Sequence, residues 1–101
     1  MGFREARTAV IRSLLAGDYL HEARQALSEK NLLAVGDVSA REVVAVLRRA
    51  RGHQYSSAPH DWDRDTVVHV FRPVVSGERW YVKAYFLAEA ESMAVFISVH
   101  R

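Results

Sequence analysis

The last third of the chain alternates between polar and apolar residues at almost every step, which restricts the structures that it can form. Residues 79–86 read RWYVKAYF, and residues 92–100 read SMAVFISVH. Because successive side chains of a β-strand point to opposite faces of a sheet, each segment predicts a strand with one apolar and one more polar face. Strands are therefore expected near 66–73, 78–88 and 92–100, and the polar and aromatic stretch 53–63 can hold a further short strand.

The parity of the strand positions predicts which side chains share a face. Trp80, Val82 and Phe86 are expected to point into the core, as are Val68 and Val70 on the preceding strand. The last strand is expected to bury four more apolar side chains: Met93, Val95, Ile97 and Val99. If these inward faces unite, one outward surface gathers proton-transfer groups, hydrogen-bond donors and aromatic rings: His69, Tyr81, Lys83, Tyr85, Ser98 and His100. A register change of one residue would reverse these assignments.

The first half of the chain has helical rather than alternating periodicity. Residues 3–16 carry an apolar stripe at helical spacing that ends before a glycine, and residues 19–29 predict a shorter second helix. Ser39 and Glu42 have the spacing of a capping box, in which the serine accepts from the backbone and the glutamate reaches back. A third helix is therefore expected to start at Ser39 and to end at Gly52.

Helices over about 3–52 followed by strands over about 53–101 predict an α+β fold. The connections between the strands are short, so the strands should pair antiparallel as a sheet of three to four strands. The N-terminal helices are expected to pack on one face of this sheet. A length of 101 residues fits one domain, residues 1–101, with one core.

Composition excludes several classes of site. The chain contains no cysteine, so it has no disulfides, thiolate metal ligands or cysteine nucleophiles, which is compatible with a cytoplasmic location. No apolar run approaches the roughly 20 residues that span a bilayer, and the first residues lack the apolar core of a secretory signal. A membrane partner is therefore not expected.

The positive charges are clustered rather than spread evenly. The net charge is only +2, but one group of arginines lies in the third predicted helix and a second group of cations lies among the strands. Such a group can be a solvated helix face or a patch that binds phosphate. The first group is Arg41, Arg48, Arg49 and Arg51, and the second is Arg72, Arg79, Lys83 and Arg101.

The segment 60–65, which reads HDWDRD, invites a metal-site interpretation. It is similar to a calcium loop, but the central glycine and the terminal bidentate glutamate are missing. The sequence has neither a His-Glu-x-x-His motif nor a glycine-rich phosphate loop. No metal and no cofactor are therefore expected, and Trp62 and Trp80 are expected in the core.

Several short motifs in the second half resemble one bacterial family. Residues 55–57 (Tyr-Ser-Ser), 70–73 (Val-Phe-Arg-Pro), 81–83 (Tyr-Val-Lys) and 96–99 (Phe-Ile-Ser-Val), with Gly77 between the strands, are similar to the MqsR family of type II toxin–antitoxin toxins. The resemblance implies a RelE-like fold, metal-free cleavage of mRNA and a cognate antitoxin protein as partner.

The resemblance also implies roles for particular residues. The tyrosine and lysine of the family's penultimate strand match Tyr81 and Lys83, and Tyr55 matches the tyrosine of an upstream motif. The sequence departs from the family at Ser56, where the family has lysine, and at Val68, where it has glutamine. The family's lysine-rich end is replaced here by His100 and Arg101, which suggests a divergent branch with its own histidine set or a loss of activity.

Metal-free RNA cleavage requires a base for the 2′-OH, an acid for the 5′-oxygen and a cation for the charge that develops on phosphorus. Histidine suits the first two roles, and lysine or arginine suits the third. The acid–base candidates are His69 and His100, with His60 in a nearby loop. Lys83 and Arg72 are expected to clamp the phosphate, and Tyr81 and Tyr85 to stack on unpaired bases. Tyr55, Arg79, Ser98, Arg48 and Arg49 complete the expected substrate contacts.

Two other functions fit the sequence. The chain could be a neutralising or immunity-type module that binds a protein through the same sheet face or through its acidic segment 61–65. It could also be a non-catalytic RNA- or DNA-binding domain that uses Arg41, Arg48, Arg49 and the sheet. Steep salt dependence distinguishes phosphate binding from protein binding through an acidic loop.

Overall fold

The computed structural model describes residues 1–22, 30–87 and 90–101. Its helices are α1 (Phe3–Ala16) and α2 (Ala40–Arg48). The strands of the main sheet are β1 (Tyr19–His21), β2 (Tyr55–Pro59), β3 (Val67–Phe71), β6 (Tyr81–Leu87) and β7 (Ala90–His100). A separate small hairpin consists of β4 (Val74–Val75) and β5 (Glu78–Arg79). The expected α+β class is confirmed.

Helix α1 has the bounds that its periodicity predicts. Its buried stripe includes Ala6, Val10 and Leu14. The helix ends at Gly17, which has a φ of 73° and whose N–H donates to the carbonyl oxygen of Leu14. Glycine adopts this left-handed conformation without the steric penalty that a Cβ atom brings.

Helix α2 starts as predicted but ends earlier. The Ser39 Oγ accepts the N–H of Glu42 at 3.1 Å, which is the expected cap. Val43 and Leu47 of this helix are fully buried. The helix ends at Arg48, and Gly52 instead starts a short 3-10 turn, so the predicted end at Gly52 is wrong.

The predicted second helix over 19–29 is wrong at its start. Tyr19–His21 form β1, which pairs parallel with β7 through Tyr19 and Ala94, Leu20 and Val95, and His21 and Phe96. Pairing with an open sheet edge outweighs the weak helical propensity of so short a segment. The remainder of that prediction, residues 23–29, lies outside the described residues.

The sheet has five strands in the order β1-β7-β6-β3-β2, rather than the predicted three to four. All neighbours are antiparallel except β1 and β7. Core residues of α1 and α2 cluster with side chains on one face of the sheet, including Phe71, Val82, Phe96 and Val99. The opposite face, which we call the open face, has a smaller apolar cluster of Val68, Val70 and Ile97.

A β-bulge in β7 divides the apolar face that was predicted for that strand. Ser98 pairs with Lys83 and Phe96 pairs with Ala84, so Ile97 has no partner on β6. Val99 therefore belongs to the core beneath the helices, whereas Ile97 packs on the open face. The prediction that Met93, Val95, Ile97 and Val99 share one face is wrong because strict alternation does not continue through a bulge.

The predicted orientation of β3 is reversed. Val70 pairs with Lys83 and Val68 pairs with Tyr85, so both valines lie on the open face. His69 lies on the helix side, together with Phe71. Phe71 is fully buried in the core, and the residue two positions before it must share its face. His69 is thereby separated from Lys83 by the sheet.

Candidate functional site on the open face

Five of the six residues predicted to share one surface do so. Tyr81 pairs with His100, and Lys83 pairs with Ser98, so each pair projects to the same side of the sheet. Tyr85 lies two positions further along β6 and packs beside Val68 and Val70 on that side. The antiparallel register of β6 and β7 therefore assembles this part of the predicted site.

One end of the open face carries a row of stacked polar groups. The Tyr81 and His100 rings stack with centroids 5.1 Å apart and planes 21° apart. The guanidinium of Arg72, which follows β3, lies 5.3 Å from the centre of the Tyr81 ring, and it donates to the Ser56 Oγ at 3.3 Å. Arg72 thus joins the predicted clamp as an exposed cation held against an aromatic ring.

A cavity of about 250 Å³ lies on this face, and we call it the phosphate cavity after the phosphate clamp that the sequence predicts there. Its lining includes the apolar side chains of Val68, Val70 and Ile97 and the cations Lys83 and Arg72. The segment after β2 and the residue after β1 also line it, with Glu22, His60, Asp61 and Trp62. Cations and acid–base groups therefore line a single concavity.

His60 and Glu22 form a histidine–carboxylate pair in the lining of this cavity. The Nε2 of His60 lies 3.0 Å from the Oε2 of Glu22, and both side chains are nearly buried, at 11% and 14% exposure. The Trp62 N–H donates to His60 Nδ1 at 3.1 Å, so Nε2 carries the proton that points at the carboxylate. Glu22 is held in place because its own N–H donates to the Phe96 carbonyl oxygen at 2.9 Å.

Tyr85 completes the environment of this pair. Its ring meets the His60 ring edge-on, with centroids 5.3 Å apart. Burial raises the pKa of Tyr85, and the neighbouring Glu22 carboxylate raises it further. Tyr85 therefore stays a neutral phenol at physiological pH and offers an O–H donor beside the pair.

His69 and Tyr55 lie on the other side of the sheet. The Tyr55 hydroxyl and His69 Nδ1 are 2.6 Å apart, and their rings stack. Burial lowers the pKa of His69 and raises that of Tyr55. Both groups are therefore neutral, and the imidazole accepts a hydrogen bond from the phenol. Tyr55 also packs on Phe71 and Phe3. Both predicted site residues are therefore part of the packing between sheet and α1, and neither reaches the phosphate cavity.

Three predicted arginine contacts also lie away from the open face. Arg48 belongs to α2 and lines a groove with α1, and Arg49 caps the same helix, which packs on the opposite side of the sheet. Arg79 belongs to β5 of the small hairpin rather than to the main sheet. Sequence reasoning grouped these residues by charge, which carries no information about the face that they occupy.

The most important residue that sequence reasoning missed is Glu22. It lies 38 positions before His60, and the two meet only because β1 joins the edge of the sheet beside β7. No local sequence motif predicts a contact between Glu22 and His60. The contact depends on a parallel strand that the pattern of residues 19–29 did not predict.

Across residues 1–22, 30–87 and 90–101, no three His, Asp or Glu side chains converge to hold a metal ion. Within the same ranges, no helix combines the length and the apolar character needed to cross a membrane. No protein-family model matches the chain, and no curated protein matches it with significant similarity. The chemistry of the open face is therefore the basis for a functional assignment.

Proposed function

We propose that this chain is a metal-independent endoribonuclease that cleaves mRNA on its open face, and that it acts as a type II toxin of the MqsR-like, RelE-like class. The observation that carries the proposal is the His60–Glu22 pair, which lines the same cavity as Lys83 and Arg72. The family motifs support it, since Tyr81 and Lys83, which match the family's strand residues, both lie on this face.

The proposed reaction begins with attack by the substrate's own 2′-OH on the adjacent phosphorus. The Glu22 carboxylate accepts the 2′-OH proton, while the Nε2–H of His60 holds that carboxylate in position at 3.0 Å. Lys83 and Arg72 stabilise the charge on the phosphorane oxygens. The 5′-oxygen leaves with a proton from His100, whose Nε2 has no hydrogen-bond partner within the described part of the chain.

The first test is cleavage of one long mRNA by the purified protein in excess EDTA. His60→Ala and Lys83→Ala should each lower the cleavage rate by about 10²-fold or more. Glu22→Gln, which keeps an acceptor for His60 but removes the charge, should lower the rate in the same direction. The matched control is His53→Ala, because His53 is an exposed histidine in the 3-10 turn. This variant should cleave mRNA at the wild-type rate.

Two results would contradict the nuclease. One is a folded wild-type protein that does not cleave RNA, and the other is wild-type activity in His60→Ala. RNA binding without cleavage would favour the non-catalytic nucleic-acid-binding function. For the toxin assignment, expression of the wild type should arrest bacterial growth, and Lys83→Ala should relieve the arrest at equal protein level.

A further inference from the structure

Trp62 is displayed to solvent by an ordered loop. Its exposed fraction is 83%, so the expected core position is wrong. The loop is fixed by its own hydrogen bonds, since the His60 N–H donates to the Thr66 carbonyl at 2.8 Å. The Asp63 carboxylate accepts the Asp65 N–H at 3.1 Å and the Thr66 hydroxyl at 2.7 Å. The hydrogen-bonded loop, rather than packing in the core, sets the position of the Trp62 indole. The exposed ring is therefore available to bind a ligand.

A second cavity of about 330 Å³ lies beside this indole, and we call it the base cavity. It shares three residues with the phosphate cavity: Glu22, His60 and Trp62. Asp63, Thr66 and Tyr85 complete its lining. The Trp62 and His60 ring centroids are 5.9 Å apart, so aromatic rings line the boundary between the two cavities. The volume lies at the low end of the range for small-molecule sites.

The polar groups of the base cavity select for hydrogen-bond donors. The Asp63 carboxylate is ionised, because hydrogen bonds from Thr66 and Asp65 hold its pKa below the usual range. Each of its oxygens accepts one hydrogen bond within the loop and keeps a further acceptor site. Adenine, cytosine and guanine carry an exocyclic amino group that can donate to such a carboxylate. Uracil has no amino group, and its N3–H lies between two carbonyl oxygens that repel a carboxylate.

We propose that the base cavity is a nucleobase subsite for single-stranded RNA, in which a base with an exocyclic amino group stacks on Trp62 and donates to Asp63. This inference rests on the proposed function, because it takes RNA as the ligand. One nucleotide spans both cavities, with its base on Trp62 and its phosphate against Lys83 and Arg72. The enzyme therefore prefers adenine, cytosine or guanine to uracil at this position.

The test measures binding of uncleavable, dye-labelled 2′-O-methyl hexanucleotides of adenylate, cytidylate and uridylate by fluorescence anisotropy in EDTA. The wild type should bind the adenylate and cytidylate oligomers more tightly than the uridylate oligomer. Trp62→Ala should weaken adenylate binding by about 5- to 100-fold, and Trp62→Phe should weaken it less. Trp62 is exposed, so circular dichroism of both variants should match that of the wild type.

Asp63→Asn tests the base preference separately from stacking. This variant should lose the preference for adenylate over uridylate while it binds uridylate as the wild type does. The matched control is Asp65→Asn, because Asp65 lies in the same loop but does not line the base cavity. That control should keep the wild-type preference.

The outcomes separate the two proposals. Wild-type cleavage of mRNA with unchanged adenylate binding by Trp62→Ala would overturn the subsite and leave the nuclease standing. Equal wild-type binding of all three oligomers would overturn the base selection by Asp63. A wild type that neither cleaves mRNA nor binds any oligomer would overturn the proposed function itself. Intrinsic fluorescence gives an independent readout, because Trp80 is buried and quenching by RNA would report on Trp62.

Discussion

At the scale of single residues, His69 illustrates how a histidine suited to catalysis can instead be a packing residue. It is 3% exposed, and its Nδ1 accepts a hydrogen bond from the Tyr55 hydroxyl on the helix side of the sheet. Burial lowers its pKa below the value of about 6.5 that a histidine has in an unfolded chain. The unfolded state therefore takes up a proton near pH 6.5, while folded His69 remains neutral until a lower pH.

This difference predicts the direction of the pH dependence of stability. The free energy of unfolding should be greatest above about pH 6.5 and should fall as pH drops toward the folded pKa of His69. His21, whose pKa is also lowered by burial, contributes in the same direction. Thermal unfolding of His69→Gln between pH 7.5 and 5.5 should show a smaller decrease in Tm than the wild type. The glutamine can still accept from Tyr55.

The control for this pH series is His53→Gln, which changes an exposed histidine and should retain the wild-type decrease. A His69→Gln variant with the full wild-type decrease would assign the pH dependence to other groups. Loss of mRNA cleavage by a folded His69→Gln variant would instead contradict the separation of His69 from the open face.

The residues of the open face were predictable from sequence to different degrees. Alternation along β6 was sufficient to place Tyr81, Lys83 and Tyr85 together, because the extra residue of the bulge opposite Lys83 and Ala84 lies on β7. Trp62 was assigned to the core on its apolar size, although its loop is polar. Glu22 carried no signal, since its contact with His60 depends on tertiary pairing.

At the scale of elements, the last strand is tied to the first helix through one hydroxyl group. Ser13 is 1% exposed, and its Oγ accepts the Ala94 N–H of β7 at 3.1 Å while donating to the Asp18 carbonyl after α1. A backbone N–H that loses its acceptor inside a protein carries the full cost of its desolvation. Ser13 therefore fixes α1, the start of β1 and β7 relative to one another.

Ser13→Ala should lower the free energy of unfolding by about 1–3 kcal/mol, because it leaves the Ala94 N–H and the Asp18 carbonyl without this partner. Urea denaturation measures the change. The control is Thr8→Ala, which removes an exposed hydroxyl from the same helix and should change stability by less than about 0.5 kcal/mol. Equal effects of the two substitutions would show that the Ser13 bridge does not stabilise the fold.

The β7 bulge explains why the apolar faces of the sheet could not be read completely from sequence. Alternation from Met93 to Val99 predicts one apolar face. The extra residue Ile97 interrupts this alternation, so Ile97 and Val99 lie on opposite faces of the sheet. The sheet is also buried on both faces at β3, where Val70 and Phe71 point to opposite sides. Where both faces are apolar, a period of two identifies a strand but not its inside.

At the scale of the whole molecule, the cations and the carboxylates of the open face are not evenly mixed. Arg72 and Lys83 line the phosphate cavity, Asp63 lines the base cavity, and Glu22 lines both. Arg12 and Arg48 lie in the groove between the helices, on the opposite side of the sheet. A modest net charge therefore coexists with a local pair of cations on the open face.

This arrangement predicts which cations determine the salt dependence of RNA binding. Lys83→Ala and Arg72→Ala should each lower the slope of log binding constant against log salt concentration by about 0.7, the value for one phosphate contact on a single strand. The measurement is anisotropy of a labelled 2′-O-methyl oligomer at several salt concentrations. Arg12→Ala should leave the slope unchanged, and a reduction in that variant would move the RNA path to the helix side.

The position of β7 between β1 and β6 has a consequence for protein synthesis. The ribosome makes β7 after every other strand, yet the Phe96 carbonyl in β7 is the group that holds Glu22 in place. A nascent chain that has not yet released residues 90–100 from the exit tunnel lacks both this anchor and His100. If the open face cleaves RNA, a nascent chain whose β7 is still inside the exit tunnel is therefore inactive, and cleavage starts only after β7 has emerged.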